Sequence, residues 1–226
     1  AIQLAKEGFI VGPRLAAMLA GPRAERIKTF TTTRAYFFPN GTPLSAGMRK
    51  TNPAFARTLS QIALQGPAAF YDGPIAAAII AAVQKAPINP GVLSLQDLLN
   101  YRVIARTPVC HPYRVFEVCG MGPPSSGGVA VGQILGILSH FDLPGMGPDS
   151  VQSWHLLNEA SKLAFADRNQ YMADSDFVDV PTAGLLEPGY LATRAGFIRT
   201  ETSIIPPVVP GRPRGVPAKL PGADTQ

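Results

Sequence analysis

The chain has 226 residues, of which 46% are apolar and 15% are charged, and its formal net charge is +5. This composition is typical of a globular protein with a sizeable core, and it excludes a fully disordered chain and a collagen-like repeat. The longest apolar run, residues 74–83, is about half of the roughly 20 residues that span a bilayer, so no membrane span is expected in this chain.

The charge is distributed unevenly along the chain. Residues 1–60 carry nine Lys and Arg against two Asp and Glu, whereas residues 142–187 carry two basic and eight acidic side chains. The basic residues occur singly, and no aromatic residues alternate with them in the pattern that stacks on bases. No nucleic-acid partner is therefore predicted, and we expect the charged surfaces to face each other or a partner chain.

Helical patterns dominate the first hundred residues. Asn52 precedes Pro53 and an apolar stripe, so it is a candidate N-cap of a helix that Gly66 ends. Ser94 is a candidate cap of a shorter helix. Residues 29–50 are rich in turn residues, which predicts a loop with at most one short strand. The helices expected in this part cover residues 1–8, 13–19, 52–66, 74–86 and 94–101.

Residues 103–119 change to a β pattern. The runs "RVIARTPVC" and "YRVFEVCGM" are rich in β-branched and aromatic residues and flank "HPY", which predicts a β-hairpin with its turn at Pro112 and Tyr113. This pairing places Cys110 opposite a residue near Val115. Cys119 is then not opposite Cys110, so a disulfide between the two cysteines is not favoured. Two cysteines alone do not supply the four ligands of a structural zinc site, and no metal site is predicted.

The most distinctive local feature is "PPSSGG", residues 123–128, at the start of an apolar helix. In one interpretation the serine hydroxyls and the free backbone amides of the helix start hold a carboxylate or an oxyanion of a substrate. In the other, Ser126 caps the helix and the glycines allow close packing. Ser125, Ser126, Gly127 and Gly128 are therefore either next to substrate or a structural turn.

The longest helical pattern begins at Asp149 or Ser150 and continues to about residue 174. Asp167 and Arg168 within it are interpreted as members of an ion pair, either exposed or between helices. The carboxylates around residues 174–176 lack the spacing of a calcium loop and predict a helix-ending turn. One stripe of this helix is expected to hold Trp154, Leu157, Ala164, Arg168 and Tyr171.

No catalytic constellation is visible in the chain. The three histidines, His111, His140 and His155, lie far apart, and no "GxSxG", "HExxH" or P-loop pattern occurs. We therefore assign no catalytic residue and no cofactor to this chain. Residues 1–203 are expected to form part of one helix-rich domain. Residues 204–226 contain six prolines and predict a flexible tail without packing partners.

Several segments taken together resemble the large subunit of the gamma-glutamyltransferase (gamma-glutamyltranspeptidase) family. They are "AIQLAKEGFIV", "DLLNYRVIARTPV", "YRVFEV", "GPPSSGGVAVGQILGIL", "EASKLAFADRNQY", "DSDFVDVP" and the final "ADTQ". The resemblance covers nearly the whole chain. It implies an α+β, four-layer αββα N-terminal-nucleophile hydrolase fold, of which this chain supplies mainly helices and the hairpin.

The resemblance also implies a mechanism. Members cut their own precursor before a Thr, which then attacks γ-glutamyl amides such as glutathione and forms a threonyl acyl-enzyme. Gln226 is then the processing residue, and the Thr nucleophile is expected immediately after it, on a small-subunit partner. The family's arginine for the substrate α-carboxylate lies upstream of the region covered here. A periplasmic or secreted location is implied as well.

Two alternatives stay open. A cephalosporin or glutaryl acylase of the same superfamily would share the fold and the self-cleavage but take a different acyl group. A non-catalytic interaction module would have no nucleophile at all. The residues that distinguish these cases lie outside this chain.

Overall fold

The structure is a computed structural model that describes residues 1–216. It divides the chain into two compact units, Ala1–Val103 and Ile104–Gln226. The first unit holds helices and a two-stranded antiparallel ribbon. The second unit holds helices and a β-hairpin.

The first unit contains eight helices and two short strands among its described residues. They are α1 (Ile2–Glu7), β1 (Phe9–Ile10), α2 (Pro13–Ala20), α3 (Glu25–Lys28), α4 (Thr31–Phe37), β2 (Arg49–Lys50), α5 (Pro53–Gln65), α6 (Ala68–Tyr71), α7 (Gly73–Gln84) and α8 (Leu95–Asn100).

The predicted caps of this unit are confirmed. The Asn52 side chain accepts a hydrogen bond from the Phe55 amide over 3.0 Å at the start of α5. Gly66 ends that helix with a φ of 77°, a conformation that favours glycine. Ser94 and Asp97 form a capping box at the start of α8, in which each side chain binds the other residue's amide.

The prediction of a loop over residues 29–50 is wrong in part. Thr31–Phe37 is helical, although threonine is a weak helix former, because neighbouring apolar residues are packed into a common core. The predicted short strand is Arg49–Lys50, which pairs antiparallel with Phe9–Ile10. The core of this region consists of Val11, Leu19, Ala24, Phe38 and Leu44.

The second unit is built on two long helices with the hairpin packed against one of them. Its elements are β3 (Val109–Tyr113), β4 (Phe116–Gly120), α9 (Gly127–Leu138), α10 (Leu143–Met146), α11 (Val151–Tyr171), α12 (Thr182–Leu185) and α13 (Pro188–Ala195). Ile137 of α9, Leu156 and Leu163 of α11, and Leu191 of α13 meet in one apolar core. Burying each such side chain stabilises the fold by about 1.5–3 kcal/mol.

The buried face of α11 differs from the predicted stripe. Trp154 is 63% exposed and Arg168 is exposed, whereas Glu159 and Asp167 are completely buried. The pattern of apolar residues in the sequence does not identify this buried face, because two of its residues, Glu159 and Asp167, carry carboxylates. Its buried residues are Leu156, Glu159, Ala160, Leu163, Ala164, Asp167 and Tyr171.

The hairpin has a different register from the predicted one. Pro112 and Tyr113 belong to β3, and the turn lies at Arg114 and Val115, where Arg114 has a φ of 56°. This two-residue shift places Cys110 directly opposite Cys119, and the two sulfur atoms form a disulfide. A two-stranded ribbon tolerates Pro112 within a strand because both strands are edges. Residues 103–108 are not in a strand.

Residues 204–216 also differ from the expectation of a tail without partners. The Ile204 amide binds Glu159 and the Gly211 amide binds Asp167, both on α11. The prolines remove some backbone donors, and two of the remaining amides bind buried carboxylates. The rest of the predicted tail, including Gln226, lies outside the described residues. Among residues 1–216, no helix combines the length and apolar content needed to cross a bilayer.

Candidate functional site

The turn between β4 and α9 is shaped by a contact between two glycines. A Cβ built on Gly128 would lie 2.7 Å from the Met121 carbonyl oxygen and 2.8 Å from the carbonyl carbon of Gly120. The Gly128 amide donates to the same Met121 oxygen over 3.0 Å. The backbone of the helix start therefore lies directly on the end of the strand. This supports the predicted close packing, specifically at Gly128.

Ser126 does not form the predicted helix cap. The Ser126 hydroxyl caps no amide of α9 and instead accepts a hydrogen bond from Nε of Arg168 over 3.0 Å. The Ser125 hydroxyl accepts a longer bond, 3.4 Å, from the Gly127 amide. Arg168 thus brings a guanidinium group to the turn from α11. Whether the turn also binds a carboxylate or an oxyanion stays a prediction.

Two further glycines extend the contact between α9 and the hairpin. Gly132 and Gly136 follow Gly128 at four-residue intervals, so the three share one helix face. A Cβ at Gly136 would lie 2.9 Å from Nε2 of His111, and one at Gly132 would lie 3.2 Å from its Cβ. His111 was predicted at the hairpin tip, but it lies in β3 and is buried against this face. Burial lowers its pKa from the ordinary value near 6.5, because desolvation penalises the charged imidazolium.

Asp167 is the centre of a buried polar network. Its Oδ2 accepts hydrogen bonds from the Tyr190 hydroxyl over 2.7 Å and from Nε2 of Gln133 over 3.0 Å. Its Oδ1 accepts from the Gly211 amide over 2.8 Å and lies 3.0 Å from a guanidinium nitrogen of Arg194. Four donors from two other helices and the 204–216 segment therefore share one carboxylate. Such full satisfaction is what a buried charge requires.

The ionic partner of Asp167 is Arg194 of α13, so the ion pair predicted for Asp167 forms between helices, whereas Arg168 binds Ser126. Sequence reasoning missed the network, although one signal was available. Asp167 follows Ala160 by seven residues and Leu163 by four, so helical periodicity places it on the buried face. The pKa of the Tyr190 hydroxyl is raised, first by burial and then by its hydrogen bond to Asp167.

Glu159 forms a second buried carboxylate site two turns earlier on α11. It accepts from Nζ of Lys162 over 2.7 Å and from the Ile204 amide over 2.7 Å. Burial by itself would raise the pKa of this carboxyl group, but the bonds from Lys162 and Ile204 outweigh desolvation and lower it.

The described residues offer one cluster with metal-binding atoms, Cys110, Glu117 and Cys119. Both cysteine sulfurs are joined in the disulfide, so neither is available as a thiolate ligand. The three histidines lie in different elements. His111 lies in β3, His140 follows α9, and His155 lies in α11. His155 binds the Arg199 carbonyl oxygen through Nε2 over 2.8 Å.

The chain matches the family profile "Gamma-glutamyltranspeptidase" over residues 1–217. It is 39% identical to the glutathione hydrolase proenzyme of Escherichia coli (strain K12) over 88% of this chain and 34% of that protein. It is 38% identical to the acylase ACY 1 proenzyme of Pseudomonas sp. (strain V22) over 89% of this chain and 35% of that protein. The chain thus spans about a third of the length of these curated relatives.

Solved structures give the same result. The Helicobacter pylori gamma-glutamyltranspeptidase superposes with a TM-score of 0.78 and 34% identity, covering 90% of this chain and 58% of that one. The Bacillus halodurans cephalosporin acylase superposes with a TM-score of 0.75 and 29% identity, covering 88% of this chain and 37% of that one. The expected α+β N-terminal-nucleophile hydrolase fold is confirmed, with this chain contributing mostly helices and one hairpin. A family match over nearly the full length, together with these relatives, shows that the chain belongs to the gamma-glutamyltranspeptidase family.

Proposed function

We propose that this chain is the C-terminal part of the large subunit of a self-processing gamma-glutamyltransferase or hydrolase. Its substrates are γ-glutamyl amides such as glutathione. The observation that carries this proposal is the 39% identity to a glutathione hydrolase proenzyme over 88% of the chain. The chain spans a third of that relative, so the activity belongs to a larger protein of which it is one piece.

The proposed maturation is an intramolecular acyl shift after Gln226. The hydroxyl of the next residue, a threonine, adds to the Gln226 carbonyl carbon, the C–N bond breaks, and the nitrogen takes up the proton. Water then hydrolyses the resulting ester, which leaves a carboxylate on Gln226 and a threonine with a free α-amine. That amine serves as the base when the same hydroxyl attacks the γ-glutamyl carbonyl.

The catalytic cycle then follows the chemistry of acyl transfer. Attack produces a tetrahedral oxyanion, which donors of the assembled site stabilise, and its collapse releases the amine and forms a threonyl ester. Water completes hydrolysis, whereas an amino acid or peptide completes transfer. Neither step requires a cofactor. This chain contributes no attacking group, and its Ser125–Gly128 turn packs α9 on the hairpin.

A second chain as partner is supported by the apolar surface of the second unit. Trp154 and Phe165 on α11 are 63% and 51% exposed, and Val131 on α9 is 45% exposed. Large apolar side chains on neighbouring helices are typical of surfaces that another chain covers. We assign this role to the small subunit that carries the N-terminal Thr.

A cephalosporin or glutaryl acylase is the second candidate function. The chain is 38% identical to the acylase ACY 1 proenzyme, nearly the same value as for the glutathione hydrolase proenzyme. Two substrates that differ by one group separate the candidates. γ-Glutamyl-p-nitroanilide carries an α-amino group, and glutaryl-p-nitroanilide lacks it.

The experiment uses the full-length precursor. It is purified, its masses are recorded, and its activity on the two anilides is compared. We expect two polypeptides, one of them beginning with Thr, and a kcat/KM at least about tenfold higher for the γ-glutamyl anilide. A preference for the glutaryl anilide would favour the acylase. A single uncut polypeptide without activity would favour the interaction module and overturn the proposal.

We also propose a periplasmic or secreted location. The Cys110–Cys119 disulfide supports it, because disulfides persist in oxidising compartments. Fractionation of the native host, with activity and antibody detection in each fraction, tests the location. Recovery in the cytosolic fraction alone would contradict it.

A further inference from the structure

The clamped segment, residues 204–211, is held to α11 at both of its ends. Glu159 binds the amide of Ile204 and Asp167 binds the amide of Gly211, over 2.7 and 2.8 Å. The two carboxylates are eight residues apart and therefore about 12 Å apart along the helix axis. The segment accordingly runs beside α11 in the same direction as the helix. Both carboxylates have no exposed surface.

Gly211 is bound by two hydrogen bonds and by close packing. Its amide donates to Asp167, and its carbonyl oxygen accepts from the Tyr171 hydroxyl over 2.6 Å. A Cβ at this position would overlap the ring of Tyr190, so the segment fits closely only with glycine. Arg194 adds a bond to the Val209 carbonyl oxygen over 3.2 Å. Hydrogen bonds to charged groups in a buried site are the strong ones.

Glu159, Asp167 and Tyr171, which bind the ends of the segment, form a clamp. The charges of its two carboxylates are balanced within the second unit. Lys162 neutralises Glu159 and Arg194 neutralises Asp167, at 2.7 and 3.0 Å. Gln133 and Tyr190 complete the surroundings of Asp167. The carboxylates are therefore compensated by side chains of the second unit, and each also accepts a hydrogen bond from a backbone amide of the segment. The sequence of the segment supplies those amides at Ile204 and Gly211, on either side of its prolines.

We propose that Asp167 and Glu159 position the processing segment for self-cleavage by fixing residues 204–211 against α11. This inference rests on the proposed function, in which the scissile bond follows Gln226. Cleavage requires the attacking hydroxyl and the Gln226 carbonyl to meet in one geometry, and small errors of placement reduce such rates steeply. A fixed Gly211 anchors the chain 15 residues before the bond and so limits how far the bond can move away from α11. Asp167, Glu159 and Tyr171 are thus positioning residues.

The test follows the cleavage rate of the purified full-length precursor. Asp167→Asn and Glu159→Gln remove the charges, and Tyr171→Phe removes only the hydroxyl that binds Gly211. Asp149→Asn makes the same carboxylate-to-amide change at an exposed position of the same unit. We expect the three clamp variants to cleave at least about fivefold more slowly and Asp149→Asn to cleave at the wild-type rate.

A second readout separates positioning from folding. The melting temperature of each uncut precursor is measured, and kcat and KM are measured after cleavage has gone to completion. Slow cleavage by Tyr171→Phe at a temperature where its precursor is still fully folded, with wild-type kcat and KM after cutting, supports the inference. Tyr171→Phe decides the matter if Asp167→Asn does not fold. Wild-type cleavage rates in a folded clamp variant overturn it while leaving the proposed function intact. A wild-type precursor that never cuts itself overturns both.

Discussion

Gly120 and Gly128 lie so close that a Cβ added to Gly120 would stand 2.8 Å from the Cα of Gly128. The strand end and the helix start can approach this far only because neither residue has a side chain. The whole turn from residue 121 to 127 is therefore closed by a backbone contact.

Gly128→Ala should destabilise the protein by about 2 kcal/mol, because the new methyl group meets backbone atoms that cannot rotate away. Gly127→Ala is the matched control, since its Cβ would meet only the Ser125 hydroxyl oxygen at 3.7 Å. Alanine in a helix is favoured over glycine by up to about 1 kcal/mol, so the control should be neutral or stabilising. Chemical denaturation of both variants measures the difference. Equal stabilities would contradict the role of the contact.

The buried His111 should make stability depend on pH. Its pKa is lowered in the folded protein, so the unfolded chain binds more protons as the pH falls below about 6.5. The free energy of unfolding should therefore decrease from pH 7.5 toward pH 5 and level off below the folded-state pKa. His111→Gln should lose this part of the slope, while a change at the exposed His140 should keep it. Urea denaturation across the pH range provides the measurement, and an unchanged slope in His111→Gln would count against the prediction.

Reduction of the Cys110–Cys119 disulfide should lower stability by roughly 2–3 kcal/mol, the range expected for a short loop. Denatured protein without reductant should contain no free thiol, and two should appear after reduction. Cys119→Ser should be insensitive to the reductant, which separates the disulfide from general effects of the reagent. Detection of two free thiols in the unreduced protein would show that the pairing does not form.

Tyr190→Phe should lower the free energy of unfolding by about 1.5–3 kcal/mol. It removes one donor from a buried carboxylate and leaves Oδ2 of Asp167 with Gln133 as its one remaining donor. Tyr113→Phe serves as the control, at a ring that lies beside Arg114. The midpoints of chemical denaturation are compared at neutral pH. If Tyr113→Phe lowers the stability as much as Tyr190→Phe does, the hydrogen bond from the Tyr190 hydroxyl to Asp167 makes no particular contribution to stability.

Local signals predicted the caps of α5 and α8 correctly, because each capping residue binds an amide within one helical turn, but they failed for Ser126, which binds Arg168 of α11 instead. Asn52 binds an amide three residues away, and the Ser94 box closes over the same distance. The hairpin itself was also predicted, but its register was not. Turn residues compete with strand pairing for the same positions, and here Pro112 is in a strand while Arg114 makes the turn.

By itself the sequence determined most of the longer helices, the caps at Asn52 and Ser94, the existence of a hairpin and membership of the family, since each depends on neighbouring residues or on a pattern of segments. Tertiary structure alone decided that Cys110 meets Cys119 and that Asp167 meets Gly211. The second pair is 44 residues apart. A buried carboxylate is stable only where several distant donors converge on it, and no local pattern encodes that convergence.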